Sequence, residues 1–202
     1  MSEHWKAFYS LEVDGVKEQL KSMIISNIEK WTDTDIYAIS LYVYDECDNP
    51  CQPTVTLGYN TERQFKESIS RASDEEEARW NYAFWIMNHF LYFGSGDTAE
   101  IVRNWINEIG MPYYADDDPV WRNNELFDEI LEKTEGITKA FVDVLVCIVK
   151  EIHEQGILTQ KFGKEIPIII HELEYYEEIA EQNIEANGKE LVEDFVKFCL
   201  GE

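Results

Sequence analysis

The sequence predicts an α+β fold: a small, mainly antiparallel sheet packed with several helices and ending in a helical C-terminus. Three observations carry that expectation. Through residues 13–31, Val16, Leu20, Met23, Ile24, Ile28 and Trp31 recur at three- and four-residue intervals, the period of a half-buried helix. Residues 35–44 are β-branched and aromatic on both alternating faces, which describes a strand covered on both sides. Residues 137–155 are apolar over most of a helix circumference, which places a helix at the centre of the molecule.

The remaining elements follow in order. A turn through Asn49 and Pro50 leads to residues 54–59, which alternate polar and apolar, so the two strands make an antiparallel hairpin. Thr61 caps a short helix, with Gln64 at capping-box spacing and Phe65 and Ile69 on its inner face. The acidic residues 74–77 open another turn. The aromatic block 80–93 reads as core or interface, and its pattern is compatible with helix or strand. Asp97 is expected to cap a helix through Ile109 that Gly110 and Pro112 stop. Asp116, Asp117, Asp118 and Pro119 form a solvated turn leading into a helix over 120–131, followed by a separate helix over 137–155. Gly156 and Gly163 bracket a loop. Residues 166–171 make a short strand in which Pro167 indicates an edge or first-residue position. Helices over 175–186 and 189–200, separated by Asn187 and Gly188, complete the chain. With no internal repeat, low-complexity tract or linker, residues 1–202 read as one domain.

Charge narrows the function. The chain carries 41 Asp and Glu against 17 Lys and Arg, a net −24, together with 6 Trp, 11 Tyr and 10 Phe. Acidic tails lack that apolar mass, so this is a packed domain with a negative coat. Such a coat argues against nucleic-acid binding, which needs Lys and Arg on phosphates, and suits capture of a basic protein partner. No run approaches the roughly 20 apolar residues of a membrane span. The N-terminus lacks an apolar signal core, so a cytoplasmic protein without a membrane association is expected. Cys147 and Cys199 lie in apolar runs, where a free thiol behaves as a small hydrophobe. Cys47 and Cys51 sit in a turn; they are half of a zinc site, a local disulfide or plain loop residues, and no second Cys/His pair stands at usable spacing.

Candidate chemistry is sparse, and no cofactor is implied. Gly94, Ser95 and Gly96 before a helix nearly spell a dinucleotide fingerprint, but Asp97 would repel a phosphate there and no βαβ unit follows. His171, Glu172 and Glu174 are the sharpest polar cluster. A histidine ending an apolar strand beside two carboxylates has the donors for a divalent metal or for acid–base hydrolysis. Tyr175 stands where the helical zinc-protease pattern needs a second His. The plainer reading is a semi-buried His171 hydrogen-bonded near the surface. His89 and His153 read as structural. The Asp116–Asp118 run lacks the Gly and Glu of a calcium loop.

The acidic surface is the more coherent signal. From Glu165 onward eleven acids face two lysines, Lys189 and Lys197. Glu174, Glu177, Glu178, Glu181 and Glu185 recur on neighbouring helical turns beside Tyr175 and Tyr176. Aromatics rimmed by charge suit a protein interface, and the face carrying Tyr175, Glu178 and Glu181 is the expected contact surface. The bland alternative is a solvated helix face.

Several pieces together resemble a bacterial family catalogued as domain of unknown function 4303. They are the two-sided strand Ile36-Tyr-Ala-Ile-Ser-Leu-Tyr with its following strand, the Asn60-Thr61-Glu62 helix start, and the spaced tryptophans of Trp80-Asn-Tyr-Ala-Phe-Trp85. The late Ile166-Pro-Ile strand before acidic helices completes the set. The resemblance implies a soluble bacterial α+β domain and carries over no catalytic residue. In its aromatic, acidic, single-domain style the chain is also similar to immunity proteins that neutralise bacterial toxins. The expected function is therefore a non-enzymatic interaction module that binds a basic protein, of immunity type. The competing expectation is a small hydrolase or metal-binding enzyme centred on His171, Glu172 and Glu174.

Overall fold

The computed structural model describes residues 14–86, 90–123 and 125–202. Helix α1 (Asp14–Ile28) buries Val16, Leu20, Ile24 and Ile28, the stripe its periodicity announces. It leads into β1 (Ile36–Asp45), which pairs antiparallel with β2 (Pro53–Thr61). Strand β3 (Leu91–Phe93) lies antiparallel on the other side of β2, and β4 (Ile168–His171) runs parallel to β1. The sheet order is β3-β2-β1-β4, so it is mixed, with two antiparallel pairings and one parallel.

The two faces of the sheet hold separate cores. Ile39, Leu41 and Val43 of β1, Val55 and Leu57 of β2, and Ile168 and Ile170 of β4 share the larger core with α1, with α4 (Ala99–Glu108) and with the long helix α5 (Phe127–Glu154). The opposite face is covered by helices at one end, and at the other Tyr42 and Tyr44 stay half-buried beside the buried Thr54 and Thr56. At the covered end Tyr37, Ala38 and Ile169 pack with Phe65 of α2 (Glu62–Ser68), Trp80 of α3 (Glu75–Trp80), Ile179 of α7 (Glu177–Asn187) and Phe195 of α8 (Glu193–Leu200). A register shift between Ile36 and Ala38 is a bulge, and bulges turn two consecutive residues to one side. It is why Tyr37 and Ala38 join the same core.

Local signals are realised where they are local. Thr61 Oγ1 accepts from the Gln64 N–H at 3.1 Å. The Gln64 side chain, however, bonds to Ser68 and to the Phe84 carbonyl instead of closing a capping box. The aromatic block resolves into the end of α3, a 3-10 turn over Tyr82–Phe84 and strand β3; His89 lies outside the described residues.

Three expectations are corrected. Asp97 does not cap α4: it sits inside a 3-10 turn, Gly96–Thr98, closed by Thr98, whose hydroxyl accepts from Gly94 N–H and donates to the Ser95 carbonyl. The segments 120–131 and 137–155 are not two helices. A 3-10 turn, Pro119–Arg122, precedes one helix of 28 residues, α5. Gly136 lets that helix continue against a neighbour, since a Cβ there would meet Met111 Cε at 2.7 Å; glycine weakens a helix without ending it. The stretch between Gly156 and Gly163 is a short helix, α6 (Ile157–Phe162), with both glycines left-handed at φ 65° and 72°. No helix among the described residues is long and apolar enough to cross a membrane.

Candidate functional site

Helix α7 is held to the sheet by side-chain amides. Asn183 accepts from the Ile170 N–H at 2.9 Å and donates to its carbonyl at 2.7 Å. One turn on, Asn187 does the same for Ile168, at 2.8 and 3.0 Å. Two asparagines four apart face the same way on a helix. They thus act as a surrogate strand for the free edge of β4, an edge that otherwise invites pairing with another chain. His153 of α5 joins this network, with Nε2 3.0 Å from Asn187 Oδ1 and Nδ1 2.7 Å from Glu165.

Docked this way, α7 forms one wall of a groove of about 620 Å³ whose other wall is α5. Six carboxylates line it: Asp45, Asp143, Glu172, Glu178, Glu181 and Glu185. Lys139 is the one cation among its lining residues, and Val142, Val146 and Tyr176 add apolar surface. Burial pushes the Asp45 carboxyl above its ordinary range, opposed by the Thr138 hydroxyl that donates to it at 2.8 Å and reinforced by the nearby Glu172 and Asp48. Burial likewise pushes Asp143 up, opposed by Lys139. Tyr176 donates to Glu172 at 2.9 Å, and its phenol is pushed up by burial first and by that carboxylate second. Lys150 pairs with Glu185 at 2.7 Å, an exposed contact of small net value. The groove therefore gathers negative charge, partly desolvated at Asp45 and exposed at Asp143, Glu178, Glu181 and Glu185, with little internal compensation.

The structure divides the residues that the sequence grouped. Glu178 and Glu181 line the groove, and Glu172 joins them. Tyr175 turns inward. Its hydroxyl donates to the Trp80 carbonyl at 3.0 Å and accepts from Tyr82 N–H at 3.3 Å, and its ring packs edge-on to Phe195. Tyr176 is the tyrosine that faces the groove. Helix α7 begins only at Glu177, so the two tyrosines precede it in extended backbone and point to opposite sides.

His171, Glu172 and Glu174 are not brought together. His171 is fully buried among Tyr42, Tyr82, Trp85 and Tyr175. Its Nδ1 lies 3.2 Å from the Glu172 carbonyl, which can only accept, so Nδ1 carries the proton and Nε2 accepts from Ser40 Oγ at 2.8 Å. Burial holds the imidazole down at about 4. A serine hydroxyl on a histidine nitrogen is the first contact of an acyl-transfer dyad, but Ser40 is only 3% exposed and neither residue lines the groove. Glu174 is exposed. Among the described residues no group of three or more His, Cys, Asp or Glu side chains is placed to hold a metal ion.

The other motifs have structural explanations. Gly94 stands at φ 108°, where a Cβ would fall 2.3 Å from the Pro53 carbonyl oxygen; close approach to β2 requires glycine there. Cys47 and Cys51 are free thiols. Asp116 accepts from the Asn49 and Gln52 amides, and Asp118 caps the turn at Val120. Asp45, Asp143 and the Asn183–Asn187 pair escape sequence reasoning. The one available signal is the i,i+4 asparagine spacing beside Ile179, Ala180 and Ala186.

Comparison with known proteins gives no match to a family model, to a curated protein or to a solved structure.

Proposed function

We propose that the chain is a protein-interaction module that captures a basic protein through the groove between α5 and α7. The observation that carries this reading is the set of six groove carboxylates, two of them pushed up by burial, against a single lining lysine. Like charges gathered in one groove repel one another, and a cationic segment laid among them relieves that cost. A net charge of −24 adds long-range steering toward a basic surface. The narrower form of the reading is immunity-type neutralisation of a basic toxin in the bacterial cytoplasm, in keeping with the aromatic, acidic style of the sequence and its resemblance to domain of unknown function 4303.

The test uses a hexalysine peptide and fluorescence anisotropy. Binding is expected at low salt and should weaken steeply toward 0.15 M salt, where the screening length is about 8 Å. Replacing Asp143, Glu178 and Glu181 together by Asn and Gln should weaken it by about tenfold or more. Neutralising the exposed Glu67, Glu75 and Glu76, away from the groove, should change it less than about twofold. Equal losses in the two triple variants would reduce the attraction to net charge and overturn the proposal.

A further inference from the structure

The two ends of the sheet's second face carry the same kinds of side chain in different states. At the covered end the Arg79 guanidinium lies 4.5 Å from the ring centroid of Tyr37 and 4.1 Å from that of Phe65. Glu62 holds the same guanidinium through two bonds of 3.1 and 3.0 Å. At the other end of β1, Tyr42 stacks on Tyr44, with centroids 5.5 Å apart and planes at 25°, and on Tyr82 at 5.4 Å and 19°. All three rings are half-buried. Glu46 accepts the Tyr44 hydroxyl at 3.3 Å, and Glu172 is close enough to Tyr42 to act on its phenol. Among the described residues, neither carboxylate has a basic partner and no guanidinium lies over these three rings.

We propose that this stacked-tyrosine end takes an arginine of the bound partner, so that the partner supplies there what Arg79 supplies at the covered end. The inference rests on the groove reading and names its recognition chemistry. Position links the two sites: Glu172 lines the groove and is close enough to Tyr42 to act on its phenol. A basic segment leaving the groove past Glu172 therefore arrives at the rings. A guanidinium suits them better than an ammonium. It is planar and weakly hydrated, so it stacks on a ring and pairs with a carboxylate at once, whereas a lysine head is a strongly hydrated point charge. Burial, and then Glu46, push the Tyr44 phenol up to about 12, so the stack is neutral and adds no charge of its own to the flanking carboxylates.

The probes are hexa-arginine and hexalysine, measured side by side on the full chain at equal salt. Hexa-arginine should bind about five- to tenfold tighter. Tyr42→Leu and Tyr44→Leu should each bring that ratio below about twofold while leaving hexalysine binding unchanged. Tyr44→Phe, which keeps the ring, should retain the preference. Circular dichroism confirms that each variant is folded, and a Leu variant that fails to fold is replaced by Tyr44→Ser, for which the same loss is expected. Equal binding of the two peptides, or a preference that survives loss of the rings, overturns this inference. If the groove triple variant still weakens both peptides in that case, the groove reading stands. Absence of binding by either peptide overturns both.

Discussion

Asn183 pairs with Ile170 as one strand residue pairs with another, accepting from its N–H at 2.9 Å and donating to its carbonyl at 2.7 Å. Both groups on β4 are buried; without the amide the Ile170 N–H is left unpaired in a place water does not reach, and the carbonyl keeps only the Gln182 amide. A group stranded in that way costs about 1–3 kcal/mol. Asn183→Ala should therefore lower unfolding free energy by about 2–4 kcal/mol in urea titration. Gln182→Ala removes a single, part-buried bond to the same carbonyl and should cost less than about 1 kcal/mol. Equal losses would deny the surrogate-strand role of Asn183.

His171 makes stability depend on mild acid. Its imidazole is held near 4 in the fold by burial, against an ordinary 6.5. Between those values the unfolded chain binds the proton and the folded chain does not, so stability is fully present above about 6.5 and is lost as pH falls toward 4. The whole interval corresponds to roughly 3 kcal/mol. Asp45 and Asp143, raised by burial, act with the opposite sign, so the readout is a difference. Unfolding free energy of His171→Phe, measured at intervals from pH 7.5 to 4.5, should fall less steeply than that of the parent chain. Parallel curves would remove His171 as the cause.

Gly94 and Gly96 separate packing from conformation. Both have positive φ, but only Gly94 has backbone where a Cβ would go, with Pro53 O at 2.3 Å and Thr54 Cα at 2.9 Å. Gly94→Ala should cost more than about 3 kcal/mol, because β2 and the turn must separate. Gly96→Ala, with open space around it, should cost about 1 kcal/mol. Thermal denaturation of the two variants decides the order.

Asp45 tests whether the groove stores electrostatic cost for binding. Its carboxyl is disfavoured in ionised form by burial, and the Thr138 hydroxyl that donates to it can equally donate to an amide oxygen. Asp45→Asn should leave stability at pH 7 unchanged or raise it by up to about 1 kcal/mol, while weakening hexalysine binding by about two- to fivefold. A variant that is less stable and binds as before would contradict the role assigned to this residue.

Arg79 distinguishes a guanidinium site from a generic cation. Its head is held by Glu62 through two bonds and lies over two rings, an arrangement a lysine ammonium does not reproduce. Arg79→Lys should cost about 1 kcal/mol or more in chemical denaturation, close to the loss from Arg79→Ala. Full rescue by lysine would show that charge alone matters there.

Sequence alone was enough for those features that one segment settles by itself. The stripe Val16, Leu20, Ile24 and Ile28 makes α1, because apolar spacing of three and four selects one helical face. The two-sided β1, its hairpin with β2 and the Thr61 cap follow from residues a few positions apart. The C-terminal excess of acids, with Glu178 and Glu181 on an open face, was legible in the same way. Tertiary structure decided the rest. Burial periodicity reports that a face is covered and is silent on what covers it, so nothing local places β4 parallel to β1, brings Asp45 and Asp143 beside α7, or joins the two expected helices into α5. Tyr175 and Tyr176 show the limit most directly. Read as helix they share one surface; in the extended backbone before Glu177 they part, one into the aromatic core and one into the groove, because alternation along an extended chain replaces rotation around a helix.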